Sequence, residues 1–154
     1  MLCCGHGGHG KLCPSYQAMA RHIVRRGAIV LVADNIGQGE RRPMGHADAL
    51  VPFACGTSLQ GLIVLEALGW LAYAARDRRV DRKRMAAIGN SGGGTLTMFL
   101  AALSQKLAAV SSSGYPSTFE FVARKEKKLC ACNIIPKIVG VLERYERFKK
   151  GESL

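Results

Sequence analysis

A serine between glycines carries the clearest chemical signal in this sequence. Gly89-Asn90-Ser91-Gly92-Gly93 follows an apolar segment that predicts a buried strand over 84–88, and it precedes a predicted helix over 95–103. Where a strand turns sharply into a helix, a serine hydroxyl is exposed near the positive end of the helix dipole. Flanking glycines tolerate the dihedral angles of such a turn. We therefore predict that Ser91 is a nucleophile and that its turn is formed by Gly89, Asn90 and Gly93.

A second glycine-rich loop, Gly5 to Gly10, permits two interpretations. In the first, its backbone N–H groups act together with that of the residue after the nucleophile. They bind the negative oxygen that forms when an ester is cleaved. The residues of this predicted oxyanion hole are Gly7, Gly8, His9 and Gly92. This hypothesis accounts for both glycine loops at once.

In the second interpretation, Gly5, Gly7 and Gly10 satisfy the G-x-G-x-x-G pattern of a dinucleotide-binding fold. Asp34 then lies where an acid would bind the ribose. This alternative predicts a piece of an oxidoreductase. Two features weaken it. Only four residues precede Gly5, which leaves no strand before the loop, and the histidine side chains would crowd a pyrophosphate.

The elements that must position these loops alternate along the chain. We predict a helix over 15–26, a strand over 28–33, a helix over 59–75 capped by Thr57 or Ser58, and a strand over 107–111. Residues 34–55 are predicted to be a long loop, and two further helices are predicted over 118–127 and 138–149. Such alternation indicates parallel β-α-β units. The predicted fold class is α/β, a three-layer α/β/α sandwich with a mostly parallel sheet.

Composition narrows the function classes. The 154 residues fit one domain, and 48% are hydrophobic, which is typical of a folded protein. The net charge of +11 is spread over several segments without a nucleic-acid motif, so nucleic acid is not an expected partner. The longest apolar stretch, 62–75, contains Glu66, so no membrane span is expected. Without an apolar leader the chain as given is expected to be cytoplasmic, with secretion left open for a longer N-terminus.

The cysteines and histidines near the N-terminus form a dense group of metal-ligand types: Cys3, Cys4, His6, His9 and Cys13. Zinc sites usually take paired ligands from two separated stretches, with C-x₂₋₄-C or H-x₃₋₅-H spacing. The spacing of His6 and His9 is shorter, and glycines between them favour a backbone role. We therefore predict no metal.

Three blocks of sequence together resemble one family. They are His6-Gly7-Gly8-His9-Gly10-Lys11, Asp34-Asn35-Ile36-Gly37-Gln38-Gly39-Glu40-Arg41 and Gly89-Asn90-Ser91-Gly92-Gly93-Gly94-Thr95. The family is the acetyl-xylan-esterase-like, dienelactone-hydrolase-related branch of the α/β-hydrolases, and residues 130–136 also resemble one of its segments. The resemblance implies serine-dependent hydrolysis of a carboxylic ester through an acyl-enzyme. It also implies a small-molecule or carbohydrate ester as substrate, such as an acetyl ester, and no cofactor.

The sequence departs from the family in one respect. The family's order is nucleophile, acid, histidine, but no Asp or His follows Ser91. No triad acid or histidine is therefore identified in the chain. We expect a single partial α/β-hydrolase domain over 1–154, with the first strands before Met1 and the acid and histidine strands beyond Leu154. Without its base, Ser91 is expected to be impaired or inactive.

Two further expectations follow. His46, in the long loop, is the upstream histidine considered as a substitute base near the site, although histidines in such loops are more often surface residues. His6 and His9 are expected to shape the oxyanion loop. A third hypothesis is a non-catalytic interaction module, and exposed sheet edges then predict self-association.

Overall fold

A computed structural model describes residues 1–46, 50–114 and 117–118 of the chain. Four parallel strands form one sheet: β1 (Leu2–Cys3), β2 (Val32–Ala33), β3 (Ala86–Asn90) and β4 (Ala109–Ser113). Their order is β2-β1-β3-β4, and all three pairings are parallel. The α-helices are α1 (Pro14–Val24), α2 (Leu50–Ala54), α3 (Leu59–Ala74) and α4 (Gly92–Leu103). The predicted α/β class with a parallel sheet is confirmed.

The strand order reverses direction beside β1. From β1 the chain moves outward to β2, then crosses back to β3 on the other side of β1 and continues to β4. In parallel sheets, ligands bind beyond the carboxyl ends of the strands at such a reversal. The segments after β1 and β3, which carry the two glycine loops, therefore leave the sheet side by side.

The two long buried helices are close to their predicted positions. α3 begins after Ser58, whose side chain accepts a hydrogen bond from the Gly61 N–H at 2.9 Å, so the predicted cap is confirmed. α4 begins at Gly92, three residues earlier than predicted, directly after Ser91. Both helices pack into one core, which includes Leu59, Ile63, Leu71, Leu96 and Leu100.

Several predicted boundaries are wrong. The strand predicted over 28–33 is only Val32–Ala33, because its partner β1 has just two residues with which to form ladder bonds. The strand over 84–88 lies at Ala86–Asn90, since a turn closed by the Arg84 N–H on the Asp81 carbonyl ends just before it. The last strand is likewise shifted, from 107–111 to Ala109–Ser113, to stay in register with β3.

The long loop predicted over 34–55 is also partly helical. It contains a 3₁₀ helix at Gly39–Met44 and the short helix α2. The first helix runs over Pro14–Val24 rather than 15–26. Residues 119–127 and 138–149, predicted to be helical, lie outside the described residues.

The absence of a strand before the first glycine loop, expected from the sequence, is wrong as well. β1 lies at the centre of the described sheet, and Leu2 pairs with both Val32 and Ile88. Among the described strands, β2 and β4 occupy the edges, and self-association through sheet edges stays a prediction. None of the helices that the structure describes is both long and apolar enough to cross a membrane.

Candidate active site

Ser91 lies at the turn between β3 and α4 and has an unusual backbone conformation. Its φ is +56°, and it is the one non-glycine residue with positive φ among those described. Such a conformation costs about 1–3 kcal/mol and persists only where the surroundings enforce it. The Ser91 N–H donates to the Ser113 carbonyl at 2.9 Å, and the Ser91 carbonyl accepts from the Thr95 N–H at 3.1 Å. The backbone of the serine is therefore held by β4 and by the first turn of α4.

The Ser91 hydroxyl is available for chemistry. Ser91 is the N-cap residue of α4, a position where serine usually accepts a hydrogen bond from the helix backbone. Here its side chain makes no capping hydrogen bond, and the residue is exposed. The side chain thus faces solvent at the helix N-terminus, and the role of Ser91 as a nucleophile stays a prediction.

The glycines around Ser91 are required by close backbone packing. A Cβ on Gly89 would collide with the Gly93 carbonyl, and one on Gly93 would collide with the Cys3 carbonyl. A Cβ on Gly94 would lie 2.5 Å from the Ser113 carbonyl oxygen. Because these positions carry no side chain, α4 can begin directly against β1 and β4. The chain therefore turns sharply at Ser91.

The first glycine loop meets this turn, but through different residues from those predicted. The Cβ position of Gly5 lies 3.2 Å from the Gly92 nitrogen, and that of Gly92 lies 2.9 Å from His6 Nδ1. Apart from the adjoining residues in the chain, no atom lies within 4 Å of the Cβ positions of Gly7 and Gly8, and His9 is exposed. The structure thus places Gly5 and His6 against Gly92. The assignment of Gly7, Gly8 and His9 as oxyanion donors stays a prediction.

Tyr16 fixes this loop from α1. The backbone N–H of Gly5 donates to the Tyr16 hydroxyl at 2.5 Å, and Gly5 itself is buried. The Gly5 N–H is therefore already used and is not one of the oxyanion donors. Tyr16 was missed in the sequence because a tyrosine two residues inside a predicted helix gives no local sign of a long-range contact.

His6 and His46 form a pair beside the turn. Their Nε2 atoms are 2.8 Å apart, and the rings meet edge to face with centroids 4.8 Å apart. His46 Nδ1 lies 3.0 Å from the Ile36 carbonyl oxygen. Sequence reasoning expected a surface role for His46, whereas the structure brings it within hydrogen-bonding distance of the loop that contacts Gly92.

The block from Asp34 to Arg41 holds the Gly5–Gly10 loop and the segment that carries His46 in place. Asn35 Nδ2 donates to the Cys4 carbonyl at 2.9 Å, and Arg41 makes two 2.7 Å hydrogen bonds to the Glu66 carboxylate on α3. A Cβ on Gly37, whose φ is +77°, would lie against the backbone of His46. The chain therefore needs glycine at 37 for His46 to approach.

The Asp34 carboxylate is fully hydrogen-bonded within the protein. Its side chain is 1% exposed and accepts hydrogen bonds from the Lys11 backbone N–H at 2.5 Å, Lys11 Nζ at 3.1 Å and the Glu40 N–H at 3.3 Å. It is thus unavailable to a ribose. The glycine loop also continues into a 3₁₀ helix at Gly10–Leu12 instead of opening α1 directly. Both observations count against the dinucleotide alternative, although β1 now supplies the strand that it required.

The metal-ligand residue types that lie close together in the N-terminal sequence are not gathered into one site. Burial raises the pKa of Cys3 to about 12 and that of Cys4 to about 11, so both thiols stay protonated near neutral pH. His6 and His9 are exposed, whereas these two cysteines are buried. Within the part of the chain that the structure describes, no three His, Cys, Asp or Glu side chains are grouped to hold a metal.

A cavity of about 640 Å³ lies away from the serine. Its lining includes Leu2, Ala86, Ala109 and Arg84, which mark the amino ends of the strands, and it contains neither Ser91 nor His6. The chemistry-bearing residues are at the opposite, carboxyl end of the sheet.

Comparison with known proteins identifies one family. The family model described as Acetyl xylan esterase (AXE1) matches residues 22–128, more than half of the chain. The match includes the Asp34–Arg41 block and the Ser91 turn but not the Gly5–Gly10 loop. Neither the curated proteins nor the solved structures gave a match.

Proposed function

Because the chain belongs to the acetyl xylan esterase family, a family of carboxylic ester hydrolases, we propose that it cleaves esters through Ser91. The observation that carries this proposal is the conformation of Ser91: a strained φ of +56°, an exposed side chain and no capping hydrogen bond at a helix N-terminus. A structural serine would have no reason to bear this strain.

The reaction runs in two steps. Ser91 Oγ attacks the ester carbonyl, and the negative charge that develops on the carbonyl oxygen is stabilised by the Gly92 N–H and the positive end of α4. A second donor comes from the loop at Gly7, Gly8 or His9. The leaving oxygen takes up the proton that the Ser91 hydroxyl gives up and departs as the alcohol, and water then hydrolyses the acyl-enzyme to release the acid and restore the hydroxyl. The chemistry uses no cofactor.

The proposed substrate is a small-molecule or carbohydrate ester with a small acyl group such as acetyl. The support for this substrate class is the family to which the chain belongs. The exposed position of Ser91 at the carboxyl end of the sheet suits an ester presented on a larger alcohol.

Covalent labelling tests the proposal. The chain is incubated with a fluorophosphonate probe, and acetate release from p-nitrophenyl acetate is followed in parallel. We expect labelling and hydrolysis that Ser91→Ala abolishes and that Ser111→Ala, at an exposed serine on β4, leaves unchanged. Labelling that persists in Ser91→Ala would contradict the proposal, as would the absence of both signals from the unmodified chain.

A further inference from the structure

The fold gathers basic side chains that are spread along the sequence. In a parallel sheet, the connections that lead from a helix into the next strand lie at the amino ends of the strands. Within the described chain these connections contain nine cations but two carboxylates, Asp77 and Asp81. The cations are Arg25, Arg26, Arg76, Arg78, Arg79, Arg82, Lys83, Arg84 and Lys106. The amino end of the sheet is therefore strongly positive.

Contacts show that these connections lie side by side. Arg26, which follows α1, lines the same cavity of about 640 Å³ as Arg79 and Arg84, which follow α3. The connection after α4 joins them through the Ala108 N–H, which donates to the Met85 carbonyl at 2.8 Å. The nine cations thus form one surface, which we call the basic end.

Most of this charge is not neutralised. Two ion pairs, Arg79 with Asp77 and Arg84 with Asp81, involve the basic end, and its other seven cations make no ion pair within the described residues. All nine are exposed. At the opposite end, ion pairs neutralise the cations beside the candidate active site: Lys11–Asp34, Lys11–Glu40 and Arg41–Glu66.

Large apolar side chains are exposed between the cations of the basic end. Val24 and Ile29 lie on either side of the first two cations, Tyr73 lies in the last turn of α3, and Leu103 ends α4. Each of the four is more than half exposed. Apolar groups that gather on an exposed surface mark a site of interaction. The partner must therefore accept positive charge and apolar side chains together.

We propose that the basic end is a docking surface for an anionic lipid bilayer. Phosphate and carboxylate headgroups attract the cations, and the boundary of the acyl chains accepts Ile29 and Tyr73. A soluble polyanion would satisfy the cations alone. The chain lies on the bilayer and does not cross it, and the Ser91 turn at the carboxyl end of the sheet faces water. The proposal is independent of the proposed function.

Vesicle flotation with the full chain tests the charge requirement. Vesicles of phosphatidylcholine alone are compared with vesicles that also contain phosphatidylserine. We expect binding to the anionic vesicles only, and we expect concentrated salt to release the chain because it screens exposed charges. Equal binding to the two kinds of vesicle, or no binding to the anionic ones, would overturn the proposal.

Two matched charge reversals locate the surface. Arg78 in the basic end and Arg42 in the 3₁₀ helix after β2 are both exposed, and neither makes an ion pair within the described residues. Because each cation near an anionic surface strengthens binding about fivefold, we expect Arg78→Glu to weaken vesicle binding by about 25-fold. Arg42→Glu should change it little. Equal losses in the two variants would contradict docking through the basic end.

A second pair of variants distinguishes a bilayer from a polyanion. Ile29→Ser removes an exposed apolar group of the basic end, and Leu65→Ser removes one from the outer side of α3. We expect Ile29→Ser to weaken vesicle binding by about fivefold to tenfold, through lost apolar burial, and Leu65→Ser to leave it unchanged. A duplex oligonucleotide that binds more tightly than the anionic vesicles, with no effect of Ile29→Ser, would assign the basic end to a polyanion and overturn the proposal.

Tryptophan fluorescence of the unmodified chain needs no variant. Trp70 is the one tryptophan in the sequence, and its ring contacts that of Tyr73 edge to face, with centroids 6.1 Å apart. Its emission should move to shorter wavelength on anionic vesicles, because this end of α3 leaves water. Unchanged emission of the vesicle-bound chain would overturn the proposal even if the variants failed to fold.

Discussion

The carboxylate of Asp34 accepts a hydrogen bond from the backbone N–H of Lys11 at 2.5 Å, which joins the segment after β2 to the loop after β1. The Lys11 ammonium and the Glu40 N–H also donate to it. With its side chain only 1% exposed, Asp34 needs these donors, because a buried charge without partners is costly. The loop that contacts Gly92 and the loop that carries His46 are therefore held by a common buried anion.

Replacing this anion should loosen both loops. We expect Asp34→Asn to lower the free energy of unfolding by about 2–4 kcal/mol, since it weakens several charge-assisted hydrogen bonds and leaves donors facing an amide. Urea denaturation measures the change. Asp81→Asn, which removes an exposed carboxylate paired with Arg84, is the control and should change little. Equal losses from the two variants would show that Asp34 is not a structural anchor.

Asp34 also predicts how stability depends on pH. Burial by itself would raise the pKa of Asp34, but hydrogen bonds from Lys11 and Glu40 outweigh it and hold that pKa below the ordinary value of 3.8. Because the pKa is lower in the folded chain, the contribution is fully present above about pH 4 and is lost as pH falls through the folded value. The difference in unfolding free energy between the unmodified chain and Asp34→Asn should therefore narrow as the pH falls below 4. A constant difference down to pH 2 would contradict this.

The contrast between α3 and β1 shows what local sequence can reveal. The ends of α3 were predicted to within one residue because a capping serine and a long apolar run are local signals. β1 was missed because two residues are too few to show the alternation of a strand, and only its pairing with Val32 and Ile88 defines it. β2 is shorter than predicted for a related reason, because its length is set by its pairing with the two residues of β1.

The same distinction between local signals and long-range contacts applies to the candidate site. Ser91 and its glycines were predicted because the turn is encoded by neighbouring residues. The His6–His46 pair was not, since it depends on the path of a loop fixed by Asn35, Gly37 and Asp34. The Gly7–His9 segment was given the oxyanion role from its pattern alone, whereas contact with Gly92 is made by the residues just before it.

The turn glycines should be far less tolerant than a helical glycine. In Gly93→Ala the new methyl group would collide with the Cys3 carbonyl at the end of β1, so we expect a loss of several kcal/mol or failure to fold. Gly69→Ala, within α3 and with open space at its Cβ position beyond the backbone of its own helix, should instead add about 0.5–1 kcal/mol to the free energy of unfolding. Thermal melting of the two variants measures both effects. A stable Gly93→Ala would contradict the packing of α4 against β1.

The core beneath the site should depend on α4. Leu100 has no exposed surface, so Leu100→Ala should cost about 2–5 kcal/mol through lost burial and a residual cavity. Leu65→Ala, on the outer side of α3 where the leucine is 66% exposed, provides the matched control and should cost much less. Urea denaturation at one pH compares them, and similar losses would contradict the burial of α4.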